Sequence, residues 1–165
     1  MGKLTILALR IVLAVVLAGT LFAQAVMVPL LAVDLAEAGP DADAVRVPVI
    51  VLVVLGIIAV QVVLVCVWCL LTMVRRGTVF SPAAFRYVDV VTGAVAAGSL
   101  VVFGLGAVLA PGEDIAPGVV LLIGGLGVAV AGVALIVLVL RALLAQAVAR
   151  DAEATHLRTE LDEVI

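Results

Sequence analysis

Cys66-Val67-Trp68-Cys69 is the pattern best suited to chemistry by residue type alone. A Cys-x-x-Cys pair can shuttle two electrons through a disulfide when one of its thiolates forms readily. These are the only 2 cysteines of the chain, and both lie inside an uncharged apolar run over 47–74. A thiolate is costly to form away from water, so packing or lipid contact is the plainer role for Cys66 and Cys69, with Trp68 a packing or interfacial residue. A membrane thiol redox protein is kept as an alternative. A second group is made of amides. Gln24 stands near the middle of the first apolar run and Gln61 near the middle of the second. Antiparallel packing would bring them to one depth, with Ser99 close to that level, as a midplane polar layer. Hydrogen bonding between helices is the simple reading of such a layer, and a substrate layer of a small transporter or channel subunit is the other. Asp89 is the deepest carboxylate. Arg86, three residues earlier, shares its helical face, and the two are expected to form a wet interfacial pair. A proton relay is the sharper alternative for Asp89.

Other residue patterns exclude more than they offer. His156 is the only histidine and falls in the polar C-terminal stretch, so one chain can build neither a histidine metal cluster nor a histidine-dependent triad. Asp34, Glu37, Asp41, Asp43, Glu113 and Asp114 face a single Arg46. Their spacing lacks the converging oxygens of a calcium loop, and a solvated face accounts for them. Gly124-Gly125-Leu126-Gly127 lacks the lysine and the preceding strand of a phosphate loop. No catalytic residue, cofactor or metal is therefore expected, and an enzyme is not the favoured class. No basic stripe is present to neutralise phosphates, which argues against direct nucleic-acid binding.

The elements that must carry these residues follow from composition. Of 165 residues, 67% are hydrophobic and 13% charged, against about a quarter charged in ordinary soluble domains. The charges cluster and leave uncharged stretches over 11–33, 47–74, 90–110 and 115–140. Each meets the requirement of about 20 apolar residues for crossing a hydrocarbon core. The expected fold is an all-α integral membrane four-helix bundle in one domain. Its spans run over about 11–33, 47–74, 83–110 and 117–144, and a helical tail over about 145–165.

Basic residues orient the spans. Lys3, Arg10, Arg75, Arg76, Arg86, Arg141, Arg150 and Arg158 fall on one side, and Arg46 alone on the other. The positive-inside rule then puts both termini in the cytoplasm. Ala23-Gln24-Ala25 mimics a signal-peptide cleavage pattern, but apolar character continues to Val33, which suits an anchor better. Local chemistry marks the helix ends. Pro48 fits the first turn of span two. Ser81 is placed to cap span three, with Pro82 at its first helical position and Phe80 and Phe85 flanking the cap. Pro111-Gly112 ends span three, Pro117 opens span four, and Pro29 is expected to kink span one. Gly93 with Ala97, Ala94 with Gly98, Gly125 with Ala129, and Gly127 with Ala131 are spaced for close helix approach. Beyond Leu140 neither Gly nor Pro interrupts the chain. Ala147, Ala154, Leu157, Leu161 and Val164 there form a weak heptad-like seam.

The segment Arg75-Arg76-Gly77-Thr78-Val79-Phe80-Ser81-Pro82-Ala83-Ala84-Phe85-Arg86-Tyr87-Val88-Asp89 lies between spans two and three of a four-span chain. With the ending Glu160-Leu161-Asp162-Glu163, it resembles Domain of Unknown Function 2975. The spacing of Gly77, Phe80, Ser81 and Arg86 carries the likeness, which covers nearly the whole chain. The resemblance implies a small bacterial plasma-membrane protein with no established activity, and an association in some members with a helix-turn-helix regulator encoded nearby. It supplies no catalytic residue. The expected role is interaction or sensing. The lipid bilayer is one partner, and a protein partner would meet a cytoplasmic surface made by Arg75, Arg76, Phe80, Ser81, Arg86, Asp89, Leu157 and Leu161. A homo-oligomer is compatible with the small-residue helix faces.

Overall fold

The computed structural model of the chain describes residues 3–37, 40–75, 82–111 and 116–164. Helix α1 (Lys3–Phe22) passes through a π-helical turn (Ala23–Met27) into α2 (Val28–Glu37). Three further helices follow: α3 (Pro40–Arg75), α4 (Pro82–Leu109) and α5 (Pro117–Val164). Among the described residues there is no strand. The all-α four-helix class expected from composition is the class observed. Four helical stretches are long and apolar enough to cross a membrane: Leu4–Glu37, Val45–Met73, Arg86–Leu109 and Pro117–Ala154.

Each span packs on its neighbour in the chain. The α1–α2 span lies against α3, α3 against α4, and α4 against α5. Close approaches set an antiparallel register. Gly104 meets Leu52 and Gly98 meets Ala59 between α3 and α4, while Gly106 meets Ile123 between α4 and α5. Lys3 and the α3–α4 and α5 residues 75, 86 and 141 consequently share one end, here the termini face. Large side chains on the outer helices stay bare of protein, among them Leu121 at 78% and Leu122 at 75% exposure. A water-facing globule rarely shows so wide an apolar face, whereas hydrocarbon accepts it without cost.

Proline positions account for two departures from the expected helix ends. Pro29 has no N–H for the carbonyl four residues back and its ring crowds that carbonyl. The helix answers with a π turn, in which the Val28 N–H bonds Ala23 O. Less exposed positions step through Arg10, Leu13, Leu17, Thr20 and Gln24 and then Val28, Ala32 and Leu35. The three successive steps of four from Thr20 through Gln24 and Val28 to Ala32 are where the π turn absorbs an extra residue, which keeps one face on α3. Pro48 lies inside α3 and not in its first turn. Pro40 opens that helix instead, and Asp41 and Asp43 follow it at the end where negative charge suits the helix dipole.

α4 begins at Pro82, while Phe80 and Ser81, the expected staple and cap, lie outside the described residues. It ends in a turn closed by Ala110 N–H to Gly106 O at 2.9 Å. Pro117 opens α5, with Val119 N–H bonded to Ala116 O at 2.9 Å. From there α5 continues for 48 residues. The absence of Gly and Pro after Gly132 lets it run on beyond its apolar part.

Candidate functional site

The polar side chains of the spans gather at two levels. At the middle, Gln61 Nε2 on α3 donates to Gln24 Oε1 at 3.0 Å. Gln24 belongs to the π turn. Its backbone carbonyl loses the Val28 N–H to Ala23, and the residue after Val28 is Pro29, which has no N–H to offer. Amide pair and opened backbone therefore occupy one place in the bilayer. Ser99 on α4 is buried, at 5% exposure. Its neighbour Gly98 faces Ala59, so it lies near the same depth, but among the described residues no hydrogen bond joins it to the amide pair.

Toward the termini face a second level contains two arginines in contrasting settings. On one flank Arg141 of α5 pairs with Asp89 of α4. Its Nε faces Asp89 Oδ1 and its Nη2 donates to Asp89 Oδ2 at 2.7 Å. This corrects the expected Arg86–Asp89 pair: Arg86 is exposed, and the partner of Asp89 comes from the next helix. Sequence spacing shows only neighbours within one helix, and Arg141 reaches Asp89 because the α4–α5 register sets them level.

On the other flank Arg10 of α1 reaches α3. Its Nη2 donates to Thr72 Oγ1 at 2.7 Å, and Thr72 Oγ1 donates in turn to Trp68 O at 3.0 Å. The Arg10 guanidinium carbon stands 5.3 Å from the centroid of the Trp68 ring, inside the range of a cation–π contact. Trp68 thus has a polar partner that sequence reading missed. The signal was present: Arg10 and Trp68 both stand near the basic end of their spans.

Cys66 is buried and Cys69 half-buried on α3, and both are free thiols. Among the described residues no group of His, Cys, Asp and Glu could hold a metal ion. Of the proposed contact surface, Arg76, Phe80 and Ser81 lie outside the described residues. Arg75, Leu157 and Leu161 are placed only as helical positions on α3 and α5. Among the small-residue pairs, Gly98 and Gly127 sit in helix contacts, Gly127 against the Phe103 ring, whereas Gly93 and Gly125 face open space.

Four apolar spans with polar groups concentrated at the middle and at one end define a small multi-pass membrane protein. The chain matches the family described as Protein of unknown function (DUF2975) over residues 30–165 and belongs to that family. Neither the comparison with curated proteins nor that with solved structures gave a match.

Proposed function

We propose that this protein is a non-enzymatic interaction or sensing component of the bacterial plasma membrane, with both termini in the cytoplasm. It passes information between the bilayer and a cytoplasmic protein through α5. The observation that carries the reading is the unbroken course of α5 over 48 residues. At 1.5 Å per residue it is about 72 Å long, more than twice the hydrocarbon thickness of about 30 Å. One rigid rod thus joins the span to the tail, and the Arg141–Asp89 pair ties that rod to α4 where it leaves the apolar region. The concentration of Lys and Arg on the termini face supports a cytoplasmic location for that face.

Contact would come from the tail positions Leu157 and Leu161 and the basic α3–α4 connection. A helix-turn-helix regulator is the class of partner to which the family resemblance points. The test is recovery of interacting proteins from membranes with the intact chain and with residues 145–165 deleted. Loss of a specific partner on deletion is expected. Identical recovery from both would remove the tail from the function.

A second reading, a small transporter or channel subunit, is favoured by one observation, the Gln24–Gln61 pair at an opened π turn. Discontinuous helices commonly form transport sites at this depth. Ligand-dependent stabilisation or flux abolished by both Gln24→Leu and Gln61→Leu would support it. Persistence through both would make the pair structural.

A further inference from the structure

We propose that Arg10 is the anchor of a binding site for the phosphate group of an anionic phospholipid. Three features of its setting carry the assignment. The first is depth. Arg10 stands 14 positions before Gln24, or about 21 Å along the helix, and Thr72 stands 11 positions after Gln61, or about 17 Å. Half of the hydrocarbon core is about 15 Å, so a guanidinium at this level meets lipid phosphates. The second is that the side chain is held in advance: Thr72 fixes Nη2 and the Trp68 ring backs the planar group. An arginine held in this way loses little freedom when an oxyanion docks on its fork.

The third is charge. The Nε atoms of Arg10 and Arg141 are both buried without a hydrogen-bond partner, but Arg141 is matched by Asp89, whereas Arg10 has no carboxylate partner among the described residues. The two elements that hold it offer no such partner. α1 contains neither Asp nor Glu, and the acids of α3, Asp41 and Asp43, stand at its opposite end. Nearby charge has the same sign: Lys3 stands two turns before Arg10 on α1, and Arg75 about one turn beyond Thr72 on α3. A protein cation desolvated on one side and left unmatched takes its counter-charge from outside, and at this depth the abundant anion is a lipid phosphodiester. A headgroup with net negative charge is preferred to a zwitterionic one because no other acid of α1 or α3 is near to balance the cluster. The site is independent of which compartment the termini face occupies and of any partner of the tail.

The experiment reconstitutes the full-length protein in vesicles of equal phosphatidylglycerol and phosphatidylcholine. Lipids retained after gentle extraction are then counted by native mass spectrometry. Wild type is expected to retain phosphatidylglycerol preferentially, and Arg10→Gln to lower that preference about fivefold, the equivalent of one basic residue at the membrane surface. Thr72→Val, which keeps the charge and removes the brace, should lower it about twofold. Arg141→Gln, whose charge is already matched, should leave it unchanged. Circular dichroism of each variant shows that the helices are retained. Equal preference in wild type and Arg10→Gln would overturn the proposal, as would an equal loss in Arg141→Gln, which would mean that total charge alone governs retention. In a second arm, inorganic phosphate is added to lipid-free protein in neutral detergent. No thermal stabilisation is expected, and stabilisation by millimolar phosphate that Arg10→Gln abolishes would assign the site to a free anion instead of a lipid.

Discussion

Arg141 of α5 pairs with Asp89 on α4, its Nη2 donating to Oδ2 at 2.7 Å while its Nε faces Oδ1 without forming a hydrogen bond. The contact ties together two helices at the level where α5 stops being a span and continues as a tail. A single charge-assisted hydrogen bond makes the contact, and partial exposure of both side chains admits screening.

Asp89→Asn should therefore lower stability by about 1 kcal/mol, at the upper end of the range for exposed pairs. Arg141→Gln should do the same. In the double variant the two losses should fall well short of adding, because each removes the same contact. Thermal unfolding in detergent checks this, and full additivity would show that the side chains do not interact.

The amide pair calls for the same treatment at the opposite extreme of environment. Gln61→Leu is expected to cost about 0.6 kcal/mol, and no more than about 1.7, since interhelical hydrogen bonds in lipid are modest. The contribution is to the relative register of α1 and α3. A double-mutant cycle with Gln24→Leu should recover a coupling of that size, and a coupling of zero would place the two amides apart.

Glycine substitutions should divide by position. A Cβ on Gly127 would stand 3.1 to 3.2 Å from the atoms of the Phe103 ring, and that ring, 40% exposed, has room on its free side to shift by a few tenths of an ångström. Gly127→Ala should destabilise by about 1 kcal/mol at most, at the low end of overpacking, and Phe103→Leu in the same chain should relieve it. Gly125→Ala, which meets nothing within 4 Å, should be neutral or slightly stabilising through better helix propensity. The comparison requires only melting curves.

For the thiols, burial sets the order of reaction. Cys69 should be modified by a membrane-permeant maleimide faster than Cys66, which α3 carries on a buried face. If both are packing residues, Cys66→Ser and Cys69→Ser will leave helix content and lipid retention unchanged. A redox-dependent change in either that disappears in Cys69→Ser would restore the thiol chemistry as a function.

Much of the architecture was legible without coordinates. Clustered charges separate four apolar stretches, and a chain with no water to bond its amides in the bilayer must coil them into helices. The start of α4 at Pro82 was legible because proline at a first helical position has no N–H to lose. The start of α3 was not. Pro48 was expected in the first turn, but the segment from Pro40 that precedes it joins the helix. At Pro29 the sequence showed that a helical hydrogen bond is lost, but not that a π turn over Ala23–Met27 would accommodate the loss.

Residue types alone determined that this protein crosses a membrane, which residues are polar within it, and that one end is basic. Only the tertiary structure decided their partners. Periodicity places Asp89 next to Arg86 on one helix, but the rotation and vertical register of two helices are set by how glycines and rings interlock along their whole contact. That collective fit brings Arg141 to Asp89, lays Arg10 on Trp68, and leaves Arg10 without a carboxylate partner among the described residues.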